Sequence, residues 1–194
     1  MNRTTLMACL LLGSTAAAFA QPTANTVQRD INQQTRIEQG LQSGALNTRE
    51  ASALEREESR VNQMQSQALK DGKLTPAEQS RLNAAQNKVS GDIYAAKHNS
   101  ATGNAQSDSS KRMQADVQRN INQQQRIEYG VQSGSLTNRE AAKLERGQSK
   151  VAKAEANAGR DGHVNANEQA RVQSAENDQS KHIYRQKHDA QQKN

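Results

Sequence analysis

Apolar residues are sparse along this chain, and where they recur they do so with the period of a helix. Val27, Ile31, Ile37 and Leu41 fall within about 120° of one another at 100° per residue, a core-facing stripe. Gly44 then stands where a helix ends in positive φ. Leu46, Asn47 and Glu50 supply an apolar lead-in, an N-cap and the glutamate that closes a capping box. A second stripe, Ala51, Leu54, Val61, Met64 and Ala68, runs to Gly72. Leu74, Thr75, Pro76 and Glu78 open a third helix with a cap, a proline at the first helical position and a closing glutamate. That helix continues through Leu82, Ala85, Val89 and Ile93. No run alternates as a strand would, so the expected fold class is all-α.

The pattern is written twice. Sliding the chain by 90 residues aligns Val27 to His98 with Val117 to His188 without a gap, 36 of 72 positions being identical, which is the signature of a repeat. The second copy keeps Gly134, Leu136, Thr137 and Glu140 at the first turn. Ala141, Leu144, Val151, Ala154 and Ala158 follow in the middle helix, then Gly162, and Val172, Ala175, Gln179 and Ile183 in the last. The expected architecture is two tandem copies of a three-helix unit, residues 21–98 and 114–190, with a short tail at 191–194. A flexible linker at 99–113, rich in Ser, Asn, Gly and Ala, is expected between them. Each copy offers about a dozen medium-sized apolar side chains against the entropy of ordering about 70 residues. That balance predicts a marginal fold, helped by docking of the two copies or by a partner.

Residues 1–20 stand apart. Arg3, an apolar run from Leu6 to Phe19 and Ala18-Phe19-Ala20 before Gln21 have the form of a cleavable signal peptide. The run is broken by Gly13, Ser14 and Thr15 and is too short for a membrane span, so the mature chain is expected to have no transmembrane segment and to be periplasmic or secreted. Cleavage removes Cys9, the only cysteine, and with it any disulfide or thiol chemistry. It leaves a net charge of +5, and Tyr94, Tyr129 and Tyr184 as the only aromatics.

The charge divides unevenly. Residues 21–100 carry ten basic and nine acidic groups, residues 101–194 fifteen and eleven. A basic second copy suits an envelope polyanion; an unknown protein is the other expected kind of partner. The tyrosines are not interleaved with basic clusters for base stacking, so no nucleic acid is expected. The pattern does not specify an oligomeric state.

Catalytic constellations are missing from the sequence: no defensible Ser-His-Asp order, no nucleophilic cysteine, no phosphate-cradling glycine loop and no HExxH. Glu55, Glu57 and Glu58 among Arg56 and Arg60 read as an exposed ionic helix face. The chain is therefore expected not to be an enzyme and to hold no cofactor, with calcium as the one candidate. A local resemblance to the EF-hand calcium loop, which sets oxygen ligands around a glycine at position 6, appears when Gly162 is placed there. Asn157, Asp161, the His163 carbonyl, Asn165 and Glu168 then take positions 1, 5, 7, 9 and 12. Gly159 at position 3 offers no side-chain oxygen. In the first copy only Asp71, Thr75 and Glu78 match. Helix capping uses the same residues and also explains why positions 1 and 3 vary. Asp178 and His182 lie four apart, two ligands where structural zinc takes four.

The pattern S-G-x-L-x-x-x-E-A at Ser43 to Ala51, D-G-x-L-T-x-x-E at Asp71 to Glu78 and I-Y-x-x-K-H at Ile93 to His98 resembles a group of small exported bacterial helical-repeat proteins. The resemblance covers nearly all of both copies; it implies export and helical repeats and assigns no catalytic residue. The expectation is an exported, non-enzymatic helical repeat protein with a structural, binding or stress-related role in the bacterial envelope. A weak calcium-binding EF-hand-like module and a chaperone-like or envelope-surface binder are the alternatives.

Overall fold

Six helices and no strand occur among the described residues of this computed structural model, which covers residues 15–189, with side chains from residue 21. They are α1 (Thr15–Ser43), α2 (Thr48–Ala68), α3 (Pro76–Lys97), α4 (Asp108–Ser133), α5 (Asn138–Ala158) and α6 (Ala166–Lys187). The all-α expectation holds. Most of the signal peptide read at 1–20, and the tail at 191–194, lie outside the described residues. The expected cleavage point, between Ala20 and Gln21, falls within the α1 backbone.

Local chemistry sets the helix ends. Asn47, Thr75, Thr137 and Asn165 each cap a helix by accepting the amide of Glu50, Glu78, Glu140 and Glu168, and each donates its own amide to that glutamate's carboxylate, so two orphan amides are satisfied at each start. At the α1–α2 turn Gly44 takes φ 74°, a conformation that costs glycine little. The Leu46 amide then closes on the Gly40 carbonyl at 2.9 Å. A side chain at Gly40 would overlap Leu46, its Cβ falling 2.6 Å from the leucine. The α4–α5 turn repeats this with Gly134, Leu136 and Gly130. The Ile-Tyr-x-x-Lys-His motif is a helix finish. His98 stacks on Tyr94 with ring centroids 4.1 Å apart and its Nδ1 lies 2.7 Å from the Tyr94 carbonyl, and His188 does the same on Tyr184.

The two copies do not stand as separate units. The most extensive contacts run across them, α2 against α5 and α1 against α4, both antiparallel, while α3 covers α1 and α2 and α6 covers α4 and α5. The crossing is reciprocal. Ser59 Oγ donates to the Ser149 carbonyl at 2.8 Å and Ser149 Oγ to the Ser59 carbonyl at 2.8 Å. Arg49 donates to the Asp161 carbonyl and Arg139 to the Asp71 carbonyl. Each partner is 90 residues from its counterpart, so the copies meet about an approximate two-fold axis, an isologous interface within one chain. A physical reason is the thin core, since each copy's sparse apolar stripes gain burial by packing against the other's.

Residues 99–113 also differ from a free linker. Gly103 donates to the Gly44 carbonyl at 2.8 Å, Ser107 caps α4, and Asp108 to Met113 form its first turns. The serines that look like coil are a cap and a small buried contact, Ser110 being 4% exposed.

Candidate functional site

The calcium-loop residues are occupied as caps and turns. Asp161 Oδ1 accepts the His163 amide at 2.9 Å, Asn165 Oδ1 accepts the Asn167 and Glu168 amides, and Glu168 Oε2 accepts the Asn165 amide at 3.0 Å. Asn157 is exposed on the last turn of α5. In the first copy Asp71 Oδ1 accepts the Lys73 amide, and Thr75 and Glu78 bond each other. The side-chain oxygens of Asp71, Thr75, Glu78, Asp161, Asn165 and Glu168 are each engaged within their own turn. Among the described residues no group of three or more His, Cys, Asp or Glu is arranged to hold a metal ion.

The unusual chemistry lies inside. Among the described residues, 30 buried apolar side chains share the interior with 25 buried polar or charged ones, so polar groups are a large part of the core rather than its edge. Seven of these are carboxyls that burial has moved off their ordinary titration. Glu55 and Glu58, expected on an exposed ionic face, are both 0% exposed. The correction has a positional cause: Ala51, Leu54, Glu55, Glu58, Val61, Asn62 and Gln65 are all buried on α2, at the three- and four-residue spacing of an inward stripe. Glu57, the residue before Glu58, does reach the surface, where Lys88 lies 3.2 Å away.

Loss of water is the main influence on all seven. It pushes Asp30 up to about 7 against the hydrogen bonds of Gln86 and Gln65 and the charge of Arg29. It pushes Glu55 up to about 8, Gln34 pulling the other way and Glu58 adding to the rise. Asp116 rises to about 7, opposed by Gln169 and Arg119, and Glu176 to about 8. Glu58, Glu145 and Glu155 lie well above the carboxylate range. Repulsion links the groups: Asp30 acts on Glu58 and Glu145, Glu58 on Glu55, Glu55 on Glu155, and Glu155 and Asp116 on Glu176. Arg119, 3.2 Å from Glu176, and Arg29 are the cations acting on this chain of acids. Both oxygens of Glu58 are buried without a hydrogen-bond partner, which a neutral carboxylic acid tolerates far better than an anion.

The two copies build this interior by trading groups. In the first, Gln65 on α2 donates to Asp30 on α1, and Gln86 on α3 donates to the same carboxyl at 2.6 Å. Ninety residues on, acid and amide have changed places: Asn120 on α4 donates to Glu155 on α5 at 3.2 Å. Glu58 is replaced by Gln148, which donates to Asn120 at 3.0 Å, and Gln86 by Glu176, which takes Arg119. One pair is kept unchanged: Gln34 with Glu55 at 2.8 Å, and Gln124 with Glu145 at 3.4 Å.

The chain matches no family model, no curated protein and no solved structure with which it was compared.

What such an interior can do follows from proton linkage. A carboxyl whose folded pKa is raised binds its proton more tightly folded than unfolded. Its stabilisation is complete below the unfolded value and is lost as pH rises through the folded one. For Asp30 and Asp116 that window runs from 3.8 to about 7, and for Glu55 and Glu176 from 4.5 to about 8. The carboxyls are buried, so the arrangement can hold protons that exposed carboxylates would release.

Proposed function

We propose that this chain is an exported, non-enzymatic helical repeat protein with a structural, binding or stress-related role in the bacterial envelope, and that the stress concerned is acid. The observation that carries the reading is the chain of seven buried carboxyls, from Glu145 through Asp30, Glu58, Glu55 and Glu155 to Asp116 and Glu176. An envelope protein shares the pH of the medium, and acid ordinarily unfolds proteins by protonating carboxylates that the native state holds ionised. Here the buried carboxyls favour the proton, so acidification relieves their repulsion. The leader-like residues 1–20 and the lack of cysteine beyond them support the setting.

The test uses the full chain in an exporting host. A mature protein beginning at Gln21 is expected in the envelope fraction, soluble and with undiminished helicity after transfer to pH 4.5. An uncleaved chain kept in the cytoplasm, or loss of helicity on acidification, would contradict the reading.

A further inference from the structure

The outer face of α5 carries Arg139, Lys143, Arg146, Lys150 and Lys153 at alternating intervals of four and three residues. At 100° per residue the five fall within about 80° of one another, and at 1.5 Å per residue they span about 21 Å. All five are exposed. Arg139 bonds a backbone carbonyl, that of Asp71, at 3.2 Å, and among the described residues none of the five is paired with a carboxylate. The acids of α5 are buried, Glu140, Glu145 and Glu155 being at most 1% exposed.

A cleft lies on each side of this stripe. The first, toward the α2–α3 turn, adds Lys70 and Lys73; its acids are already used, Asp71 by the Lys73 amide and Glu140 by the Thr137 cap. The second, toward α6, adds His182 and Arg185, and its one acid, Asp178, is paired with Lys181 at 3.5 Å. Lys143 and Arg146 line both clefts, so the positive surface is continuous.

The fold does not impose this surface, because α2 lacks it. The equivalent positions there are Arg49, Ala53, Arg56, Arg60 and Gln63, with Glu57 where α5 has Gly147. The second copy has gained two lysines and lost an acid on an outward helix face.

We propose that the outer face of α5 binds a linear acidic polysaccharide, whose carboxylate or sulfate groups lie along Arg139, Lys143, Arg146, Lys150 and Lys153. Several properties favour that partner. Five cations at intervals of about 5 Å along a helix suit a flexible polymer with regularly spaced anions. No Phe, Tyr or Trp lines either cleft, so the run of large aromatic rings on which single-stranded nucleic acids stack is missing. The stripe has no exposed apolar partner face with which to enter a bilayer. The envelope setting proposed above matters only for where such a polymer is met. Binding is read in vitro at neutral pH, so its failure would leave the export and acid readings standing.

The experiment measures binding of the mature protein to polygalacturonate and to heparin by calorimetry, at several salt concentrations. Neutral dextran, a twenty-nucleotide oligothymidylate and anionic phosphatidylglycerol vesicles are run alongside. Both acidic polysaccharides are expected to bind, with log K falling linearly as log salt rises, and to bind at least tenfold tighter than the oligonucleotide or the vesicles. The triple substitution Lys143→Gln, Arg146→Gln and Lys150→Gln should weaken binding at least tenfold. Arg49→Gln, Arg56→Gln and Arg60→Gln on α2 remove the same charge and should change it less than twofold. All six positions are on outward helix faces, and unchanged helicity checks the fold of each variant. Equal losses from the two triple variants, tighter binding to the oligonucleotide or vesicles, or no binding to either polysaccharide would overturn the proposal.

Discussion

Helices α2 and α5 are counterparts that have diverged under different rules on their two sides. On the inner side the changes compensate. Gln65 of α2 faces Asp30, and Glu155 of α5 faces Asn120, so each pair keeps one acid and one amide although both residues have changed. On the outer side nothing compensates: Ala53, Glu57 and Gln63 stand opposite Lys143, Gly147 and Lys153, and the charge has moved one way. Burial therefore constrains the composition of a pair, not which helix carries the acid. Water relaxes even that constraint on the surface.

The largest effect that tests the inner rule is the response of the whole fold to pH. Raising Asp30 from 3.8 to about 7 alone corresponds to about 4 kcal/mol of stability present at pH 4 and lost by pH 8. Thermal melts are expected to show Tm lower at pH 8 than at pH 4 by about 10 °C or more. A Tm that rises over that interval would show the buried carboxyls to be ionised in the folded state.

Next in size is the exchange itself. Gln65→Glu should place two carboxyls face to face and cost about 3 kcal/mol at pH 8. Adding Asp30→Asn recreates the arrangement of the second copy and should restore stability to within about 1 kcal/mol, a coupling that denaturant melts of the double-mutant cycle measure directly. Additive losses would mean that the two sites do not act as a pair.

A smaller effect sharpens the comparison at Glu58, the buried acid that has no partner where the second copy has Gln148. Glu58→Gln should stabilise the protein by about 1 to 2 kcal/mol at pH 8 and hardly at all at pH 4, because the acid is then neutral in either state. Smallest is a feature that the copies share. Asn47→Ala and Thr137→Ala should each cost about 1 kcal/mol, and urea midpoints should move by similar amounts, since both capping boxes are closed.

What could be read from the sequence was whatever has a local cause. The four capping boxes, the positive-φ glycines at 44, 72, 134 and 162 and the apolar stripes rest on spacings of a few residues, and each stands where its pattern predicts. Packing across the copies has no such local signal, because Ser59 and Ser149 meet through the approximate two-fold rather than through any nearby residue. Glu55 and Glu58 were misplaced by their type. Their spacing from Leu54 and Val61 puts them on the inner face, but charge argued for the surface. The clue that resolves this lies in the repeat: a residue that alternates between acid and amide at an offset of 90, as at Asp30 and Asn120 or Gln65 and Glu155, is conserving a hydrogen-bonding volume. The α5 stripe was legible as spacing too, yet its meaning depended on finding that the acids of that helix are buried.

The central claim is that the interior holds its carboxyls protonated near neutrality. Carbon-13 NMR of glutamate side-chain carboxyls, with Glu55 and Glu155 assigned by substitution to Gln, tests it most directly. Both resonances are predicted to stay in the protonated range well past the ordinary glutamate titration, Glu55 titrating near 8 and Glu155 also raised well above its ordinary value by burial. Two carboxyls that titrate near 4.5 in the folded protein would contradict the account.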